Sequence, residues 1–314
     1  MGKGCHGVQS LTRQVKTATG AGRVSRRGSD SRRCTWRQRI LAVVLILIIV
    51  PGLVAFYAFQ IEPGRLAVRR ETLVFPNLPD EWDGRTLVFF TDVHAGPSFP
   101  PERIERVAKA IRKESPDLVL FGGDLIDSET PHDETFTRRV SDALSAIDAP
   151  LGKLAVIGNH DNRLKAELKL ARSMLEDGGF TLLVNQSVTI GEVTIGGLDE
   201  SYFGSPDFKQ TFASVPDERF RIVLMHQPDF LPSQPDLACD LVLSGHSHNG
   251  QVTLLGNPLV KVYGGSKYPY GFYQLDDRRQ LYVSSGLGTV VIHARLFAPP
   301  EIVVITLSRK ASGS

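Results

Sequence analysis

Residues able to do chemistry recur in this chain at one kind of place. Asp92-Val93-His94 follows the apolar run Thr86-Leu87-Val88-Phe89-Phe90 almost at once. Gly122-Gly123-Asp124 follows Leu118-Val119-Leu120-Phe121, and Gly158-Asn159-His160-Asp161 follows Leu154-Ala155-Val156-Ile157. His226 comes after the run 221–225, and Gly245-His246-Ser247-His248 after the run 241–243. A lone histidine is usually a satisfied core or surface residue. Five of the eight histidines fall in these groups, so the groups are read together.

The residue types suit a pair of divalent cations. Phosphoryl transfer by two metals needs cations about 3.5–4 Å apart. A carboxylate can bridge them, and imidazole and amide oxygen fill the other positions. Here Asp92, His94, Asp124, Asn159, His226, His246 and His248 supply nitrogen and oxygen only. The three cysteines, Cys5, Cys34 and Cys239, have neither zinc-knuckle spacing nor a disulfide framework. The glycines before Asp124, Asn159 and His246 are read as allowing the backbone to turn where each strand stops.

The elements that must position these groups follow from hydrophobic periodicity. Short, nearly all-apolar runs read as strands buried on both faces. They fall at 86–90, 118–121, 154–157, 180–183, 188–190, 193–195, 221–225, 241–243, 281–283 and 302–307. Helical spacing of apolar residues appears at 101–115, 136–147 and 164–175. Alternation followed by many strands predicts an α/β body with two sheets and helices outside. Ligands at the carboxyl ends of strands then share one crevice. The stretch Tyr268-Pro269-Tyr270-Gly271-Phe272-Tyr273 reads as a turn between strands, with ring stacking or lipid contact as the other use.

The ordered set Asp92-x-His94, Gly123-Asp124, Gly158-Asn159-His160-Asp161, His226 and Gly245-His246-x-His248 resembles the calcineurin-like metallophosphoesterase superfamily. The segments 245–251, Ser285-Gly286-Leu287-Gly288 and Phe297-Ala298-Pro299-Pro300-Glu301-Ile302 are similar to its membrane-associated YkuE/YaeI-type bacterial branch. Thr91, Ser247 and Asn249 stand where that branch has Ser, Thr and Gly. Asp124 is followed by neither the Arg-Gly of protein Ser/Thr phosphatases nor the Tyr of purple acid phosphatases, whose place Asp127 takes.

The resemblance implies a four-layer α/β/β/α sandwich over residues 85–308. Asp92, His94 and His248 would hold one metal, Asn159, His226 and His246 the other, and Asp124 would bridge them. The metals would be Mn, Fe or Zn. A metal-bridged hydroxide would cleave a phosphodiester or pyrophosphate bond. His160 would stabilise charge or protonate the leaving oxygen, with Asp161 orienting it.

Composition bounds the rest. The 314 residues carry a net charge of +2, but residues 1–39 hold ten Lys and Arg against one acid, a net of +9, which leaves −7 for the remainder. An acidic body argues against a nucleic-acid partner, and no protein partner is inferred. Residues 1–39 read as a basic, disordered cytoplasmic tail. Residues 40–61 are free of charge and long enough to span a bilayer as one transmembrane signal-anchor. Arg32, Arg33, Arg37 and Arg39 precede it, which places the catalytic body on the non-cytoplasmic side of the inner membrane. Ser31-Arg32-Arg33 also suggests a twin-arginine signal; Pro51-Gly52 interrupts the apolar stretch, but cleavage at Ala55 or Ala58 lacks a second small residue, which favours an uncleaved anchor. Residues 62–84 read as a linker with a lead-in strand and 309–314 as a C-terminal tail. The expected substrate is a lipid or cell-envelope phosphoester. A UDP-2,3-diacylglucosamine-type pyrophosphatase and a non-catalytic binding module of the same fold are the alternatives.

Overall fold

The computed structural model describes residues 35–233 and 238–309. The tail expected at 1–39 lies outside the described residues up to residue 34, and the C-terminal tail from residue 310. The chain divides into two compact units, residues 1–49 and 50–314.

Helix α1, Trp36–Phe56, has 21 residues, none of them buried. At about 1.5 Å per residue it is about 31 Å long, close to the roughly 30 Å hydrocarbon core of a bilayer. It is the one helix among the described residues long and apolar enough to cross a membrane. It runs through Pro51 rather than breaking there. A π-turn at Tyr57–Ile61 and a 3-10 turn at Glu62–Gly64 follow.

The elements after it, in chain order, are β1 Ala67–Val74, β2 Thr86–Phe90, α2 Pro101–Lys113, β3 Leu118–Phe121, α3 Glu134–Ser145, β4 Lys153–Ala155, α4 Lys165–Asp177 and β5 Thr181–Leu182. Then come β6 Gln186–Ile190, β7 Val193–Gly197, α5 Phe208–Thr211, β8 Phe220–Leu224, β9 Leu241–Ser244, β10 Thr253–Leu254, β11 Asn257–Pro258, β12 Gly271–Gln274, β13 Gln280–Val283 and β14 Glu301–Ser308.

Two six-stranded sheets form, in the orders β1-β14-β2-β3-β4-β5 and β12-β13-β9-β8-β7-β6. The pairs β2–β3, β3–β4, β7–β8 and β8–β9 are parallel, so their carboxyl ends align. Side chains alternate along each strand. Leu87, Phe89, Leu118 and Leu120 therefore pack against Ile222, Leu224 and Leu243 between the sheets. Val88, Phe90, Val119 and Phe121 face the other way, toward Ile104, Ile111, Val140 and Leu175 of the helices. Both faces are buried, which is why these strands read as unbroken apolar runs.

The outer face of the second sheet carries Val223, Val242, Leu281 and Val283. Among the described residues, the short α5 and a 3-10 turn at Pro228–Ser233 supply the helical cover there, with Phe212 and Leu231. The fourth layer is thus thin. Half of the segment expected to be a turn at Tyr268 to Tyr273 is strand β12, paired antiparallel with β13.

Candidate metal centre

The parallel strands stop together, and the residues just past their ends meet. Asp92 and His94 follow β2, Asp124 follows β3, Asn159 and His160 follow β4, His226 follows β8, and His246 and His248 follow β9. Three overlapping groups have ligand atoms within 4.8 Å of one another: Asp92, His94 and His248; His94, Asp124 and His160; Asp124, His226 and His246. The structure thus brings together six of the seven expected ligands plus His160. The seventh, Asn159, is buried beside them, its Oδ1 accepting from Gln227 Nε2 at 3.3 Å.

The backbone here is strained. Asp92, His94, Asp124, His246 and His248 all have φ between 48° and 68°. Non-glycine residues rarely adopt this region, and such strain concentrates at functional sites. Asn249 shares it at φ 52°, a conformation that glycine accepts freely and asparagine tolerates.

The glycines have a different task from the expected one. Only Gly123 makes its turn with positive φ, at 98°. Gly158 and Gly245 are required by crowding. A Cβ on Gly158 would lie 2.1 Å from Asp124 Oδ1, and one on Gly245 would lie 2.2 Å from Asp92 Oδ2. The carboxylates press against bare backbone.

Hydrogen bonds hold several of the candidate ligands in place, while His94 and His248 keep a buried Nδ1 without a partner. His226 Nδ1 lies 2.8 Å from Gly122 O, and because a carbonyl only accepts, that nitrogen donates and Nε2 is left facing Asp124. Nε2 approaches Asp124 Oδ2 to 3.1 Å yet has no hydrogen-bond partner. Asp92 accepts the His246 N–H at 3.0 Å, and Asp124 accepts the His160 N–H at 2.8 Å. His246 Nε2 sits 2.8 Å from Tyr263 O and 2.9 Å from the Tyr202 hydroxyl. A carbonyl only accepts, so Nε2 donates to it and leaves Nδ1 with the lone pair.

Electrostatics keep most of the imidazoles neutral. Burial pushes His94 down to about 3 and His246 down to about 4, and holds His248 well below the usual histidine range. His226 is the exception. Burial opposes its charge, but the adjacent Asp124 carboxylate raises it to about 10. Burial works against ionised Asp124 too, yet His226 holds it well below the usual carboxylate range. Burial lifts Asp92 to about 6.

These residues fit divalent cations. His94 Nε2 and His248 Nε2 face each other at 3.1 Å, and His248 Nε2 lies 3.4 Å from Asp92 Oδ1. Imidazole nitrogens, most of them neutral, converge on buried carboxylates, and among the described residues no thiolate joins these groups. Buried carboxylates are otherwise paired with cations or hydrogen-bonded, and nitrogen–oxygen sets of this kind suit borderline divalent metals.

Asp161 does not orient His160. Its two oxygens accept the N–H groups of Ile126 and Gly158, each at 3.0 Å, while His160 Nδ1 is buried without a partner. It ties the turn after β3 to the turn after β4. Burial, then the nearby Asp124 charge, raise it to about 7.

Several positioning residues escaped the sequence reading. Gln227 Nε2 bridges Asn159 Oδ1 and Glu200 Oε2. Tyr202 holds His246. Arg295 is fully buried and donates to the carbonyls of Ser285, Gly286, Gly288 and Ala298. That loop abuts Asp92: a Cβ on Gly286 would lie 2.6 Å from Asp92 Cβ. The motif Ser285-Gly286-Leu287-Gly288 was a visible signal for the loop. Nothing in one sequence links Arg295 to it.

Two packed sheets with acids and histidines massed at their strand ends define a metal-dependent phosphoester hydrolase. The chain belongs to the calcineurin-like phosphoesterase family, whose pattern it matches over residues 85–250. It is similar to the uncharacterized metallophosphoesterase YkuE of Bacillus subtilis, at 34% identity over 80% of this chain and 88% of that one. It is also similar to the UDP-2,3-diacylglucosamine pyrophosphatase LpxG of Chlamydia muridarum, at 26% identity over 82% of this chain and 94% of that one. Among solved structures it matches TT1561 of Thermus thermophilus at 11% identity and a TM-score of 0.41, over 65% of this chain and 90% of that one.

Proposed function

We propose that this chain is a membrane-anchored two-metal hydrolase of phosphodiester or pyrophosphate bonds in lipid or cell-envelope phosphoesters. The observation that carries the reading is the shared position of Asp124, which belongs to two of the three overlapping ligand groups. In this reading Asp92, His94 and His248 hold one cation, Asn159, His226 and His246 hold the other, and Asp124 bridges them. Bound cations of the Mn, Fe or Zn type would supply Lewis acidity toward the phosphoryl oxygens and make a water acidic enough to attack at neutral pH.

The chain's own residues do the rest. His160 lies beside His94, with ring centroids 4.8 Å apart, and lines the open cavity next to Asp124. From there it donates a hydrogen bond to a phosphoryl oxygen or a proton to the leaving oxygen. Asp161 fixes the turns that carry Asp124 and His160. Residues 40–61 anchor the protein in the inner membrane, and residues 85–308 form the catalytic domain on the non-cytoplasmic side.

The similarity to LpxG favours one second reading, a pyrophosphatase acting on UDP-2,3-diacylglucosamine. The first test is hydrolysis of bis(4-nitrophenyl) phosphate and of 4-nitrophenyl phosphate by the full chain, with metal content measured alongside. Asp124→Asn is expected to lose most bound metal and at least about a hundredfold in rate, the scale of removing a charge-stabilising group. Unchanged metal content and rate would overturn the assignment.

A further inference from the structure

We propose that the cavity beside the metal centre is a binding groove for one acyl chain of a lipid phosphoester. The inference rests on the phosphoesterase reading above and names the part of the substrate that the metals would not touch. The cavity measures about 390 Å³, within the ordinary range for ligand pockets. Its lining combines His160, His246 and His248 of the centre with aliphatic side chains from two loops, Val252, Val260 and Val262 from one and Val290, Val291 and Ile292 from the other. A polar head at the imidazoles with an apolar tail along the valines matches this mixed lining.

The rim is built at a conformational cost. Val291 is 91% exposed and Leu255, beside the groove, is 92% exposed. Both have left-handed backbones, at φ 64° and 51°. Val291 is the centre of a γ-turn closed by Ile292 N to Val290 O at 2.7 Å, a strained geometry for a β-branched residue. A large apolar side chain held in water on a strained backbone is unfavourable twice over. The exposure penalty falls if the side chain meets lipid.

The groove is also tied to the end of the apolar stretch. Ala58 O accepts the Arg295 N–H at 2.9 Å, and the Glu62 carboxylate accepts the N–H groups of Phe297 at 2.9 Å and Ala298 at 2.7 Å. The loop 290–298 therefore supplies one groove wall and also fastens to the residues that leave the apolar stretch.

The test uses the full chain in nanodiscs containing phosphatidylglycerol with a diazirine at the end of one acyl chain. After irradiation, labelled peptides are mapped by mass spectrometry. Label is expected on peptides spanning 252–262 and 290–296, as well as on α1. Val260→Asp and Ile292→Asp, both at exposed positions, are expected to cut groove labelling at least about tenfold relative to α1 labelling. Label confined to α1, or groove label unchanged in both variants, would overturn the proposal. Hydrolysis of bis(4-nitrophenyl) phosphate by the same preparation is read separately. Its absence would count against the phosphoesterase reading, while the labelling pattern would still decide the groove.

Discussion

At the scale of single residues, contact with glycine backbone shapes the centre as much as its ligands do. Gly245 faces Asp92 and Thr91 so closely that Gly245→Ala must displace one of them. The expected result is a tenfold to hundredfold loss of metal affinity, the usual effect of disturbing groups that support ligands. Equilibrium dialysis with Mn would measure it. Gly96→Ala is the control, because its Cβ would meet Glu129 O at an ordinary 3.6 Å. A second residue-scale prediction concerns Cys239, fully buried on the outer face of the second sheet. Burial pushes its thiol up to about 12 from an ordinary value near 9. Below about pH 9 both folded and unfolded chains keep the proton. Above it only the unfolded chain releases it, so stability falls as pH rises toward 12, by up to about 1.4 kcal/mol per unit. Urea midpoints at pH 8, 9 and 10 should therefore converge for wild type and Cys239→Ala. A constant gap would show that the thiol contributes no such slope.

At the scale of elements, the strands that carry ligands were the legible part. Thr86–Phe90 and Leu118–Phe121 match their apolar runs at both ends, because burial on both faces leaves no polar position to blur them. Helices α2, α3 and α4 match within a few residues for the same kind of reason, a continuous apolar stripe. The side chains that meet at the strand ends as candidate ligands were legible too, since each stands just past such a run. The glycine roles were not, because crowding between Gly158 and Asp124 joins residues distant in sequence. Neither was β12, whose half-exposed residues give no clear apolar pattern. Arg295 was hidden for a similar reason. Its guanidinium organises the loop between β13 and β14 through four carbonyls, none signalled by sequence spacing. Arg295→Lys cannot reproduce that fork. It should leave buried carbonyls unpaired and cost about 2–4 kcal/mol in urea unfolding. It should also weaken metal binding, because the same loop presses Gly286 on Asp92. Wild-type stability with wild-type metal affinity would remove Arg295 from the positioning set.

At the scale of the whole molecule, charge and anchor divide the work of reaching a membrane. The residues after 39 carry a net −7, which repels an anionic bilayer surface rather than adsorbing to it. Proximity must then come from an apolar segment, and α1 is long enough to supply it. In the proposed topology the arginines at 32, 33, 37 and 39 would resist translocation and keep the preceding tail in the cytoplasm. The metal centre would then face the periplasm or the exterior, within reach of lipid and envelope phosphoesters and away from cytoplasmic UDP-linked precursors. A fusion after Ser314 separates the two substrate readings. Alkaline phosphatase placed there should be active and green fluorescent protein dark if the body is exported unfolded. The reverse pattern would put the catalytic body in the cytoplasm and turn the choice toward the UDP-2,3-diacylglucosamine reading. Export of an already folded body would light both reporters, which keeps the body outside and assigns the twin-arginine route to Arg32 and Arg33. Replacing the four arginines with glutamine should weaken whichever orientation the wild type shows, because the charge asymmetry that sets it is gone.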